Sequence, residues 1–489
     1  MPILDPPVPV PNLCPGLGKG QSIYNRAVPS LFMNRRTLLG TIEVTAAAVT
    51  AVLLFAAATA AADHVRELIE KDRWPEALAE ARALVAETPS PAASAALGEA
   101  LYRAGLIDDA GEVLAPIAAS DEAPARALAQ LGLVRVAQGK DGEAVALMER
   151  AVAAAPRDPW VVYRASGAAR SRAGAIELLQ TYLGTASSDD PDRLEGARGT
   201  IRLYTALGER KVWVPVAGPE RLEVPLTPLA GTGGGYVVEA TLAHKKKIRL
   251  LLDTGSTGLF VVERAVKKGG FTPLSLETVF AGGGAGRTQS SRGLLSRFAI
   301  GGLEFSDALV TTTKDEFDPQ GRIHGVLGLN VFSGYRVTLD LAKGRLVLEP
   351  GGTDPAGAPY WDVAGQMLVS ASAIPGPEGL FLFDTGATRS MVARAFVDRV
   401  PGASVESAAG VRTYGGNVAG ASAVRGVKLR FLDIEGKDGP VYTSDLTQRS
   451  RLGGVEVSGF LGMDLLDGMT IVVDTRARRV AVVAAPKKD

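Results

Sequence analysis

The stretch LLDTGSTGLFV, Leu251 to Val261, decides how the second half of this chain is read. Apolar residues lead into and out of Asp253, Thr254 and Gly255, which places a carboxylate between two segments with the character of buried strands. A buried carboxylate is costly unless something compensates it. The tripeptide alone is a weak signal, because Asp, Thr and Gly all suit tight turns. It recurs, however, in LFLFDTGATRSMV, Leu380 to Val392, where Asp384, Thr385 and Gly386 sit in the same apolar setting 131 residues further on.

The repetition extends beyond the tripeptide. Each copy is followed by an apolar-Gly element, HGVLGLNVF (324–332) and SGFLGMDLL (458–466), with Gly328 and Gly462 134 residues apart. Each then closes with a strand pair, YRVTLDLAKGRLVL (335–348) and MTIVVDTRARRVAV (469–482), with Asp340 and Asp474 again 134 apart. From Lys211 onward short segments rich in β-branched residues are broken by Gly and Pro, the pattern of strands and tight turns. Between the landmarks lie two Gly-rich hairpins, VFAGGGAGR (279–287) and VRTYGGNVAG (411–420). One unit of roughly 130 residues therefore occurs twice, in register at four landmarks.

Two intact Asp-Thr-Gly motifs, each with its apolar-Gly partner, resemble the pepsin/retropepsin type of aspartic protease, and most of all the retropepsin-like domains of bacterial exported proteins. The likeness covers the all-β half of the chain. It implies a bilobal fold in which Asp253 and Asp384 face each other as a catalytic dyad. Two close carboxylates share one proton; the ionised one activates a water and the protonated one hydrogen-bonds the scissile carbonyl. Such chemistry calls for no cofactor and no metal. The resemblance further implies that Thr254 and Thr385 reach across to the opposite loop, that Gly255 and Gly386 let the chain turn with amides aimed at the carboxylates, and that Gly328 and Gly462 pass behind the active loops. Gly283 and Gly284 in one hairpin, and Tyr414 and Gly415 in the other, are candidate flap residues. Ser256 follows the first triplet and Ala387 the second. A hydroxyl there could favour the charged form of Asp253, leaving the proton on Asp384. His324 has no task in this mechanism and is expected to be structural.

Between Asp63 and Arg210 the pattern turns helical, with Ala, Leu, Arg and Glu dominant and apolar residues at three- and four-residue steps. ALGEALYRAGLIDDA (96–110) aligns with QLGLVRVAQGKDGEA (130–144), with Leu97 and Leu131, Gly105 and Gly139, and Ala110 and Ala144 each 34 apart. This period resembles the tetratricopeptide repeat; the alternative is an irregular Ala/Leu-rich bundle. The pattern fades after Ala173, and a loop around 187–193 precedes one last helix. Such arrays imply a protein partner or substrate held on stacked helices.

The N-terminus reads as an address. Residues 1–32 are proline-rich; then Met33 opens MNRRTLLG, and an apolar run from Val44 to Ala62 ends in three alanines before Asp63. A basic segment, an apolar segment and a small-residue end form an export signal, with translation expected to start at Met33 and with a faint likeness to a twin-arginine signal. The alternative is an uncleaved anchor at 44–62, the one route by which the sequence predicts membrane contact. The expected location is thus periplasmic or secreted.

The expected organisation is multidomain: residues 1–62 as extension and signal or anchor, 63–210 as an all-α helical repeat domain, 211–353 as the first β lobe and 354–489 as the second. Composition agrees with a folded chain of several domains: 489 residues, 46% hydrophobic and 22% charged. Lys+Arg and Asp+Glu are both 53, so no charge excess points to nucleic acid. Cys14 is the one cysteine, so no intrachain disulfide can form, and His64, His244 and His324 show no zinc-ligand spacing. The function expected is an exported aspartic endopeptidase acting on extended peptides. Two alternatives compete: an inactive scaffold that binds proteins, and a protease active only between two chains.

Overall fold

The computed structural model describes residues 59–186, 189–229, 235–281, 286–318, 320–352, 356–407, 411–413, 416–418, 421–436 and 439–484. The export signal or anchor at 44–62 lies almost wholly outside the described residues. Among them, no helix is long and apolar enough to cross a membrane.

The 34-residue period is realised as helix pairs. A helix through 59–70 is followed by Trp74–Glu87, then Pro91–Arg103 with Ile107–Ala118, Ala125–Ala137 with Asp141–Ala154, and Pro159–Ser166 with Arg172–Thr185. Small residues let the helices approach closely: Ala93, Ala96, Ala110, Ala144 and Ala151 are fully enclosed. Gly105 and Gly139 end equivalent helices with φ of 81° and 76°, a left-handed conformation that a side chain disfavours. The array continues past Ala173, where the sequence pattern fades. The fourth pair opens with a helix of only eight residues, so the spacing changes, but Val162, Leu179, Tyr182 and Ala197 still bury a shared core with the last helix, Pro191–Leu207.

The β region repeats one topology. In the first lobe, strand Lys247–Leu252 pairs in parallel with Gly325–Leu327, which pairs antiparallel with Leu259–Val262, which pairs in parallel with Ala308–Thr313. In the second, Glu378–Phe383 pairs in parallel with Gly459–Leu461, which pairs antiparallel with Met391–Ala393, which pairs in parallel with Val441–Ser444. Such psi-shaped crossings bury both strands that flank each Asp-Thr-Gly turn, and Leu250, Leu251, Phe381 and Phe383 are fully enclosed.

A third sheet joins the lobes. It has six strands, with hairpin Tyr335–Asp340/Arg345–Pro350 edge to edge with hairpin Met469–Asp474/Arg479–Ala484. Thr338 pairs with Val472, its own counterpart 134 residues on, and Val337 pairs with Val473 and Leu339 with Ile471 about that centre. A residue can pair antiparallel with its duplicate only on a local twofold axis, so this register places the pseudo-twofold through the shared sheet.

The helical array rests on both lobes. Its inter-helix turns meet the second lobe: Arg478 Nη1 donates to the carbonyls of Val136 and Ala137, each at 2.8 Å, and the Glu456 amide donates to the Arg103 carbonyl at 2.6 Å. These bonds satisfy carbonyls that a helix end leaves open. Trp361 Nε1 donates to Asp108 at 3.3 Å, and Arg451 pairs with Asp72. The last helix packs Leu203 and Leu207 on Leu294, with Leu274 and Leu309 beside them, against the first lobe.

Candidate active site

The two psi crossings end at a common point. The strands Lys247–Leu252 and Glu378–Phe383 each deliver an aspartate directly after their last residue, and the Asp253 and Asp384 amides donate to the carbonyls of Leu327 and Leu461, both at 3.0 Å. The apolar-Gly elements thus hold the aspartates from behind. Gly328 lies where a Cβ would meet the Ser256 carbonyl oxygen at 2.3 Å, and Gly462 where one would meet the Arg389 carbonyl carbon at 2.5 Å.

The lobes are clasped by their threonines. The Thr254 amide donates to Thr385 Oγ1 at 3.1 Å, and the Thr385 amide donates to Thr254 Oγ1 at 3.0 Å. Each hydroxyl then donates onward, Thr254 to the Phe383 carbonyl at 2.5 Å and Thr385 to the Leu252 carbonyl at 2.9 Å. Both threonines are 3% exposed, so four buried polar groups are satisfied only across the lobe boundary.

The clasp forces the carboxylates together. A Cβ on Gly255 would lie 2.6 Å from Asp384 Cγ, and one on Gly386 would lie 2.4 Å from Asp253 Cγ. Each turn glycine therefore faces the opposing carboxylate with no room for a methyl group. The pair hydrogen-bonds side chain to side chain, and both carboxyls titrate above the usual aspartate range. Burial is the chief cause for both, although each keeps some access to solvent. Asp253 is pushed furthest, by burial first and then by the negative charge of Asp384.

The backbone treats the two carboxyls differently. Asp384 Oδ1 accepts amide bonds from Gly386 at 2.9 Å and from Ala387 at 3.0 Å. Asp253 Oδ1 accepts one, from Gly255 at 2.8 Å, while the Ser256 amide turns to the Asp253 backbone carbonyl at 3.2 Å. Amide donors favour the charged form, so the main chain favours ionisation of Asp384 over that of Asp253. The expectation built on Ser256 relied on its hydroxyl, which makes no hydrogen bond to Asp253 among the described residues. The difference lies in main-chain direction, which residue type did not reveal.

His324 is structural: its Nδ1 accepts from the Arg249 amide at 3.1 Å, and its backbone bonds two strands. The flap candidates Gly283, Gly284, Tyr414 and Gly415 lie outside the described residues. The strands that carry them form hairpins, Phe271–Ala281 with Gly286–Leu295 and Val411–Thr413 with Gly416–Val418. Among the described residues no cluster of His, Cys, Asp or Glu could hold a metal ion. Sequence reading missed Arg449, on helix Thr447–Gly453, whose positive charge acts on both carboxyls.

Fold and clasp define the class: a bilobal, all-β aspartic-protease fold preceded by an all-α helical repeat domain resembling tetratricopeptide repeats. Residues 238–331 and 372–465 both match the family profile described as aspartyl protease, one match on each lobe. A retropepsin-like aspartic protease from Rickettsia conorii is 20% identical over 28% of this chain and 95% of its own, with a TM-score of 0.20. A tetratricopeptide repeat protein from Parabacteroides merdae is 13% identical over 30% of this chain and 60% of its own, with a TM-score of 0.23. Basic 7S globulin from soybean is 12% identical over 55% of this chain and 96% of its own, with a TM-score of 0.34. No curated protein matches the chain.

Proposed function

We propose that this protein is an exported aspartic endopeptidase whose dyad is Asp253 and Asp384, with the helical repeats serving to bind a protein partner or substrate. The observation that carries the reading is the reciprocal threonine clasp with the two hydrogen-bonded carboxyls set against it. A protein that merely retained the fold would have no need of two desolvated carboxyls held in contact.

In the proposed reaction Asp384 accepts a proton from a water between the carboxyls as that water attacks the peptide carbonyl carbon. Asp253 hydrogen-bonds the carbonyl oxygen and gives up its proton as that oxygen becomes a hydroxyl. Collapse of the tetrahedral diol breaks the C–N bond as one diol hydroxyl returns its proton to Asp253. The nitrogen takes a proton from the dyad and leaves as an amine, and the other product is a carboxylic acid. An extended substrate would lie along the cleft, bonding through its backbone as an added strand.

The test is cleavage of a peptide library by the full chain across pH, with Asp253→Asn and Asp384→Asn as controls. Cleavage lost in both variants supports the reading; cleavage that survives in either, or no cleavage by wild type, refutes it and leaves a binding scaffold. Export is tested separately, by fractionating cells that produce the chain from Met33: recovery in the cytoplasm alone would refute it.

A further inference from the structure

We propose that Arg449 is a specificity-determining residue that selects substrates carrying a carboxylate side chain beside the scissile bond. The inference rests on the protease reading above. Side chains alternate along a strand, so Leu382, two residues before Asp384, shares the face from which that aspartate emerges. Phe460 pairs with Leu382, and Val326 pairs with Leu251, two residues before Asp253. Val326 and Phe460 are therefore equivalent positions flanking the dyad from the two lobes.

The lobes treat these positions differently. In the first, Val326 joins Leu229, Val237, Leu251 and Ile323 in a separate apolar cluster, and Phe317 stands edge-on to Phe260 at 5.4 Å. In the second, the Arg449 guanidinium lies over the Phe460 ring, 5.2 Å from its centre. The first-lobe position is thus sealed in an apolar cluster, whereas its second-lobe equivalent carries a cation on its aromatic ring.

Among the described residues that cation has no polar partner. Its neighbours do: Ser450 Oγ accepts from the Val457 amide at 3.0 Å, and Arg451 pairs with Asp72. These contacts fix the helix, while Arg449 forms no hydrogen bond or ion pair among the described residues. The side chain is half-buried, so its five N–H donors sit where water is only partly available. Its charge reaches both dyad carboxyls, yet neither is within ion-pairing distance. A planar guanidinium with free donors matches a carboxylate in bidentate geometry, and in an extended peptide beside this dyad that carboxylate is an Asp or Glu side chain.

The experiment uses the full chain and a pooled peptide library, with cut sites read by mass spectrometry, followed by one cleaved peptide and its Glu→Gln twin. Wild type should enrich Asp or Glu at one position flanking the cut and favour the Glu peptide by about tenfold or more in kcat/KM, chiefly through KM. Arg449→Gln should erase that gap, and Arg449→Lys should retain part of it, with thermal melts confirming that both variants fold. No acidic enrichment in wild type, or a preference that survives in Arg449→Gln, overturns the proposal. If wild type cleaves nothing, the protease reading fails on its own. Fluorescence anisotropy of a Glu-rich peptide and its Gln twin then decides Arg449: tighter Glu binding by wild type than by Arg449→Gln supports it, and equal binding refutes it.

Discussion

Thr254 and Thr385 each donate a backbone amide to the other's hydroxyl, at 3.1 and 3.0 Å, across the boundary between the two lobes. Removing one hydroxyl therefore orphans groups in the opposite lobe. Thr254→Val leaves the Phe383 carbonyl and the Thr385 amide unpaired in a dry setting and should cost on the order of 3 kcal/mol. Thr254→Ser keeps the bonds and should cost about 1 kcal/mol for the lost methyl group. Urea midpoints check this, and equal losses for the two variants would show that the clasp contributes little.

Gly386 faces Asp253 Cγ across a gap that a Cβ would narrow to 2.4 Å. Gly386→Ala must push the carboxyls apart, and a displacement of that kind costs about a hundredfold in rate. Peptide cleavage should fall by that order while the variant stays folded by circular dichroism. Activity close to wild type would mean that the pair need not touch.

The elevated titration of Asp253 makes stability depend on pH. A carboxyl that binds its proton more tightly when folded adds stability at low pH and loses it as pH rises through the folded value. Asp253→Asn cannot lose that contribution. Melting temperatures of wild type should therefore drop relative to Asp253→Asn as pH rises from the ordinary aspartate range through the elevated folded titration. A constant difference would show that the dyad is not desolvated.

Among the described residues the Ser256 hydroxyl makes no hydrogen bond to Asp253, whereas Asp384 is held by the amides of Gly386 and Ala387. Ser256→Ala should leave the acid limb of the pH–rate profile in place. A shift of that limb would restore the hydroxyl to the role that its position in the sequence implied.

Arg478 bridges the second lobe to the end of a repeat helix through two carbonyls. Arg478→Ala should weaken docking of the array by about 1 to 3 kcal/mol. Limited proteolysis reads this as faster nicking between the helical and β regions, and an unchanged nicking rate would assign the docking to the other contacts.

Much of this protein is written locally in its chain. The duplicated Asp-Thr-Gly turns, the apolar-Gly elements and the 34-residue period are short-range patterns, and they named Asp253, Asp384, Thr254 and Thr385 before any fold was known. Strand and helix periodicity records which faces must be buried, so fold class and candidate dyad were both legible. The tertiary structure alone decided the rest: Thr338 paired with its own duplicate in a sheet common to both lobes, the repeat turns seated on the second lobe, the second amide donor on Asp384, and Arg449 over Phe460 with its charge acting on the dyad. Each of these depends on the direction of a backbone amide or on a meeting of distant segments. Hydrophobic spacing specifies that such segments bury their faces, but the distances and orientations at which they meet are set only when the whole chain packs.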